Sequence, residues 1–191
     1  MPRTEASAQT LADLLAQVGR AAYCMSPDED LTPAQWMALR YLSRANRFSR
    51  TVSAFADYHA TTRGTASQTV KRLIEQGYLT RTPSTRDGRS VRLDLTRKGR
   101  GTLLEDPLEA LVRSVDGIPR RTRADMTRRL EGVLEQLAGE RDGCLFGTCP
   151  SCRHLHVDGE TCCLFDEPLQ PEELAKICVN FAPIRPVQSA T

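Results

Sequence analysis

The residues best equipped for chemistry in this 191-residue chain are its seven cysteines, and they are unevenly placed. Cys24 stands alone, whereas Cys144, Cys149, Cys152, Cys162, Cys163 and Cys178 fall within 35 residues. The first ten residues carry no basic start followed by an apolar run, so no export signal is expected. A cytoplasmic location is therefore expected, where thiols stay reduced. Six clustered thiols in such a setting point to a metal or a redox device before they point to disulfides. Cys149-Pro150-Ser151-Cys152 is the strong element, because a C-x-x-C turn aims two thiolates at one centre. Cys178 is well placed to supply a third, following a short expected helix over residues 171–177. The fourth is Cys162 or Cys163, since adjacent cysteines rarely both face one site, and Cys144 is an alternative ligand. With so many thiols at hand, His154 and His156 read as supporting or surface residues, and Cys24 as a small buried residue.

Four thiolates suit Zn²⁺ and an iron–sulfur cluster alike. Zinc ribbons usually bring two C-x-x-C knuckles. Here there is one, and the remaining ligands are separated by 9 and 15 intervening residues. The irregular spacing favours a [4Fe-4S] cluster, with zinc as the alternative. A reversible disulfide, Cys162 with Cys163 or Cys149 with Cys152, ranks third. A segment of roughly 45 residues can hardly build its own core, and a metal would supply the missing staple.

The elements that must position this centre follow from charge and periodicity. The net charge of +2 hides a division: 23 Lys+Arg against 18 Asp+Glu up to Asp142, and 3 against 6 from Gly143 onward. Residues 40–100 alone hold 14 basic side chains against four acidic ones. Nucleic acid is the natural polyanion for such a surface. Apolar residues at helical spacing predict helices over residues 10–23, from Pro33 onward, and over residues 51–58, 63–76, 102–116 and 120–139. Pro107 should kink the fifth of these or restart it. Two strands, residues 78–82 and 91–95, flank an Asp87-Gly88 turn with basic neighbours. No run of about 18 apolar residues exists, so no membrane partner is expected.

A short helix, a tight break, a longer helix and a basic hairpin make a winged helix-turn-helix. The exposed start of the longer helix offers Thr62, Arg63, Thr65, Ser67, Gln68 and Thr69 to base edges, and Lys71 and Arg72 to phosphates. Arg86 or Arg89 at the hairpin tip would reach the minor groove or its phosphates. His59, alone between two helices, reads as a turn or phosphate-contact residue. There is no Gly-rich phosphate loop and no His-plus-nucleophile pair before Asp142, so an enzyme is not expected there.

Thr69-Val70-Lys71-Arg72-Leu73-Ile74-Glu75-Gln76-Gly77-Tyr78-Leu79-Thr80-Arg81 resembles the end of the recognition helix and the first wing strand of the MarR family of bacterial transcription regulators. Arg86-Asp87-Gly88-Arg89-Ser90, followed by Leu93-Asp94-Leu95-Thr96 and Gly99, resembles its wing signature, and the likeness spans residues 10–140. It implies that Asp87 braces the wing through a salt bridge while Arg89 meets DNA. It also implies a homodimer paired through residues 10–24, 102–116 and 120–139, bound to an inverted repeat in double-stranded DNA. The cysteine segment separately resembles small appendages with a C-x₂-C, one cysteine after a Gly-containing turn, and a final C-x₂-F. That likeness favours Cys162 over Cys163.

The expected fold is therefore mainly α with a small β-wing: a winged helix-turn-helix with long dimerisation helices in residues 1–142, and a Cys-rich metal-binding module in residues 143–191. The expected function is a DNA-binding transcription regulator, a repressor, that senses iron, oxygen or redox state through a cluster on Cys149, Cys152, Cys162 and Cys178. Because the module follows directly on the last helix, gain or loss of the cluster is expected to move it against that helix. The alternative is a structural zinc site with control by a small-molecule effector; a redox enzyme or electron carrier ranks below both.

Overall fold

The computed structural model describes residues 7–24, 31–83, 91–139 and 145–184. Helix α1 (Ala8–Cys24) is followed by α2 (Pro33–Arg44), α3 (Val52–Tyr58) and α4 (Arg63–Glu75). Threonines start the last three. The Thr32, Thr51 and Thr62 hydroxyls accept from the amides of Gln35, Ala54 and Thr65, each satisfying one orphan donor of the first turn. Gln35 also returns its side chain to the Thr32 amide, at 2.8 Å, which completes a capping box. Gly77, at φ +77°, turns the chain out of α4, a conformation that favours glycine.

Strands β1 (Leu79–Pro83) and β2 (Val91–Leu95) then pair antiparallel, from Leu79 opposite Leu95 to Pro83 opposite Val91. Helix α5 (Arg97–Thr102), a 3₁₀ turn (Leu103–Glu105), α6 (Leu108–Asp116) and α7 (Arg120–Gly139) complete the first part. The helix expected over residues 102–116 is thus two pieces. Pro107 has no N–H, and Asp106 accepts from the Leu108 amide at 2.8 Å to begin α6. The same carboxylate takes Arg40 Nε at 2.9 and 2.7 Å, tying the break to α2.

The core gathers Trp36, Leu39, Tyr41 and Leu42 of α2, Phe55 of α3, Val70 and Leu73 of α4, and Leu79 and Leu93 of the wing. The Leu-Thr-x-x-Gly stretch of the wing has a structural explanation. Thr96 Oγ1 donates to Gly77 O, at 2.8 Å, and accepts from Gly99 N. A Cβ on Gly99 would lie 2.3 Å from Tyr78 O, so only glycine permits the helix to approach the wing this closely.

Residues 145–184 form a small second unit: a 3₁₀ turn (Cys149–Ser151), β3 (Thr161–Cys162) paired with β4 (Glu167–Pro168), and α8 (Pro171–Leu174). Chain order suggests a place against α7, but among the described residues none of the unit's hydrogen bonds, ion pairs or ring contacts goes there. The bonds that hold it go to residues 43–58. Ile177 N donates to Arg44 O at 2.8 Å, and Asn46 N to Ile177 O at 2.9 Å. Arg47 bonds the carboxylates of Glu173 and Glu167. Phe48 stacks on Phe165 at 4.2 Å between centroids, and Tyr58 meets Phe146 edge-on at 4.9 Å. The physical reason is apolar: Ile177 is a member of the winged-helix core, with Phe146 and Val179 packed against it. Among the described residues no helix is long and apolar enough to cross a membrane.

Candidate nucleic-acid interface and thiol centre

Helix α4 buries Ala66, Val70 and Leu73 and turns its other side outward. Thr62, Arg63, Thr65, Ser67, Gln68, Lys71 and Arg72 are exposed, and Thr69 is half-buried. The hydroxyls are not equivalent. Thr62 and Thr65 lie 2.8 Å apart within the cap, and Thr69 Oγ1 donates to Thr65 O at 3.1 Å. Lys71 lies 3.8 Å from Glu75. Arg63, Ser67, Gln68 and Arg72 form no hydrogen bond or ion pair among the described residues, and their donors are free to meet a ligand. Arg86, Asp87 and Arg89 lie outside the described residues.

The basic excess of residues 40–100 is smaller as an interface than as a count. Arg40 pairs with Asp106, Arg47 with Glu173 and Glu167, and Arg50 and Arg92 with Asp94. Lys98 Nζ donates to Gln76 O at 3.0 Å, capping the end of α4. Among the described residues of 40–100 the basic side chains left exposed are Arg44, Arg63, Lys71, Arg72, Arg81, Arg97, Lys98 and Arg100, with Lys71 beside Glu75. His59 packs edge-on against Phe55 and Tyr58, and burial holds its pKa below the ordinary value. It is a packing residue at the turn before α4.

Asp94, a member of the wing signature, has a bracing role that the sequence alone did not assign to it. Its carboxylate accepts from Arg50 Nη1 at 2.9 Å, Thr82 Oγ1 at 2.9 Å and Arg92 Nε at 2.9 Å. It therefore joins both wing strands to the segment that enters α3, a brace at the base of the wing. Burial alone would raise its pKa, but the hydrogen bonds from Thr82, Arg50 and Arg92 outweigh it and hold the group below the ordinary carboxylate value. With the folded value depressed, the contribution to stability is full above the unfolded pKa, about 4, and is lost as pH falls through the folded value. Asp94→Asn is expected to destabilise the domain by about 1–3 kcal/mol at neutral pH. The gap to the parent should narrow below about pH 4. Urea unfolding at both pH values checks this; a constant gap contradicts it.

The thiols of Cys149, Cys152, Cys162 and Cys178 line one cavity, with Asn46, Phe48, His154 and apolar side chains including Leu155 and Phe165 as its other walls. Local geometry brings them there. Cys152 N donates to Cys149 O at 2.9 Å to close the knuckle, and Cys178 N donates to Gly147 O at 2.9 Å to lay the last cysteine beside it. Gly147 must be glycine, because a Cβ there would lie 2.6 Å from the Phe181 ring. Cys149, Cys152 and Cys178 are buried, and Cys162 is half-buried. Cys163 is exposed, its amide bonded to His154 O at 2.7 Å. His156 pairs with Asp158 at the surface. Cys144 lies outside the described residues. Burial, then the nearby Cys178, Cys152 and Cys162 thiolates, push the Cys149 thiol up to about 11. Among the described residues no group of three or more His, Cys, Asp or Glu side chains is placed to hold a metal ion as the structure stands; the four cysteines border a cavity.

A short helix, a capped second helix with unengaged donors, and a braced two-stranded wing define a winged helix-turn-helix, a domain built to present one helix to a duplex. Residues 29–90 match the model of the MarR family, and this part of the chain has the MarR-type winged-helix fold. That family is one of transcription regulators, not of enzymes. Among solved structures the chain is similar to FabT of Streptococcus pneumoniae in complex with DNA, at 22% identity and a TM-score of 0.54, covering 70% of this chain and 99% of that one. A MarR transcriptional regulator from Methanosarcina mazei Go1 aligns at 21% identity and 0.54, covering 67% and 96%. Bordetella bronchiseptica BpsR, whose DNA binding is regulated by 6-hydroxynicotinic acid, aligns at 20% identity and 0.53, covering 70% and 96%. About two-thirds of this chain accounts for almost the whole of each neighbour. No curated protein matches the sequence.

Proposed function

We propose that the protein is a homodimeric DNA-binding transcription regulator, a repressor, whose cysteine module holds a metal centre that reports iron, oxygen or redox state. The observation that carries the first half is α4, whose exposed face sets Arg63, Ser67 and Gln68 at the groove-reading end of the helix without internal partners. Arg and Gln there suit guanine and adenine edges, and Arg72 and Arg81 suit phosphates. The apolar faces of α1, α6 and α7, unburied in one chain, suit a second copy and hence an inverted repeat. A small-molecule effector, as for BpsR, is the alternative means of control.

The second half rests on four thiols bordering one cavity. The single C-x-x-C knuckle, with the remaining ligands separated by 9 and 15 residues, supports an iron–sulfur cluster over a single zinc. Cys149, Cys152, Cys162 and Cys178 would hold it. When bound, it would supply positive charge to the thiolates and a state that changes with iron supply or oxidation.

Two measurements test the reading. The protein should be retained on DNA at low salt and released steeply as salt rises. Arg63→Ala should weaken binding to its operator by about ten- to a hundredfold with relaxed sequence preference. Arg72→Ala should weaken all sequences alike and lower the salt slope by about one. Binding indifferent to salt and to both changes would refute DNA recognition through α4. Iron, zinc and visible absorption, measured on protein purified without oxygen, test the centre. A coloured, iron-bearing protein agrees with a cluster, and a colourless one with one zinc per chain refutes it.

A further inference from the structure

We infer that the thiol cavity is completed by the DNA-binding domain itself, so that filling the cavity and ordering the α2–α3 junction are one linked equilibrium. This rests on the reading of the four thiols as a metal or cluster centre. The first ground is the wall of the cavity. Asn46 and Phe48, which belong to the junction, line it together with the cysteines. The module alone does not enclose the site.

The second ground is the bracketing of Cys178. Its neighbour on one side, Ile177, donates to Arg44 O at 2.8 Å and accepts from Asn46 N at 2.9 Å. Its neighbour on the other, Val179, donates to Ser49 Oγ at 2.9 Å. A thiol held in the centre therefore fixes both ends of the junction, and a released one frees both.

The third ground is Ser49, which is fully buried and joins three parts. Its hydroxyl donates to Asn46 Oδ1 at 2.7 Å, on the cavity wall. Its carbonyl accepts from the Tyr41 phenol, at 2.7 Å, in the core. The same carbonyl accepts from Thr51 N, at 2.9 Å, and Thr51 is the cap that starts α3. The path from cysteine to the first helix of the helix-turn-helix is thus a few hydrogen bonds long and does not pass through the dimer helices. Linkage makes it reciprocal: DNA that selects one setting of α3 and α4 must change retention of the centre by the factor that the centre changes DNA affinity.

Arg47 provides a handle that leaves the thiols untouched, since it clamps the module through Glu173 and Glu167. The test uses full-length protein purified without oxygen. Iron and zinc content, release of metal to excess chelator, and amide hydrogen exchange are followed for the parent, Arg47→Ala and Ser49→Ala. The expected result is metal in all three, released at least about tenfold faster from both variants. In the parent, stripping the metal should speed exchange at residues 44–49 and 177–179 about tenfold or more. Metal held by the parent, with parental release from both variants and with exchange at residues 44–49 unmoved by stripping, overturns the linkage alone. A parent free of iron and zinc overturns the reading of the centre, and the linkage with it. The exchange measurement needs no variant, so the outcome does not depend on either substitution folding.

Discussion

Leu130→Asp combined with Leu134→Asp is expected to turn the protein into monomers and to lower its affinity for an inverted-repeat site by at least about a thousandfold, toward the non-specific level. The argument begins with what α7 leaves uncovered. None of its 20 residues is buried, and Met126, Leu130, Val133, Leu134 and Leu137 follow helical spacing along one stripe, with Leu134 66% exposed. Helix α1 likewise exposes Leu11, Leu14, Leu15 and Val18, and α6 exposes Val112 and Val115. Isolated apolar side chains on a surface need no explanation, but three helices with continuous apolar stripes do. A second copy would cover them and place two α4 helices on one face of the duplex. Two carboxylates inside such an interface would lose their hydration without a partner, which opposes association by several kcal/mol. Because both leucines are exposed in the single chain, the fold should survive. Helical circular dichroism should be unchanged while sedimentation reports half the mass. A variant that remains dimeric, or that binds the full repeat as tightly as the parent, would show that pairing does not use this stripe.

How much of this could be read from the chain depends on how local the cause is. The helices were legible because their periodicity is local, and the threonine caps and Gly77 mark their ends with side chains that act within three residues. The two-stranded wing was legible for the same reason. The break at Pro107 could be read only as a kink or a restart; the choice fell to Arg40, which comes from 66 residues away to hold Asp106. The bracing role of Asp94 was not legible because its partners Arg50 and Thr82 are 44 and 12 residues distant. The docking of the module was illegible on the same principle. Ile177 looks like any apolar residue beside a cysteine, and nothing near it announces that its place is in a core begun at Leu31. Charge counting misled in one respect: it treated Arg40, Arg47, Arg50 and Arg92 as an interface, whereas carboxylates elsewhere in the chain engage all four.

That docking gives the second large effect. Cys149→Ala is expected to lower the melting temperature of the winged-helix part by about 10 °C, although Cys149 is a residue of the module. One thiol fewer leaves three around the cavity, too few for a four-thiolate centre. The module owes little to its own packing: β3 and β4 are two residues each, and among its described residues the buried apolar ones besides the cysteines are Leu169 and Ile177. Without the centre it should loosen, since metal binding in small units of this kind is folding free energy. Loosening withdraws Ile177 from the core and Phe146 and Val179 from its edge. A lost buried isoleucine is worth about 2–5 kcal/mol, and each kcal/mol moves the melting point of a chain this long by about 2–4 °C. Cys163→Ala is the matched control, because that thiol is exposed. It should leave metal content and melting point at the parental values. Scanning calorimetry of the three proteins decides, with limited proteolysis reporting on the module. An unchanged melting point in Cys149→Ala, alongside proteolytic loss of residues 145–184, would show that the winged helix stands without its appendage.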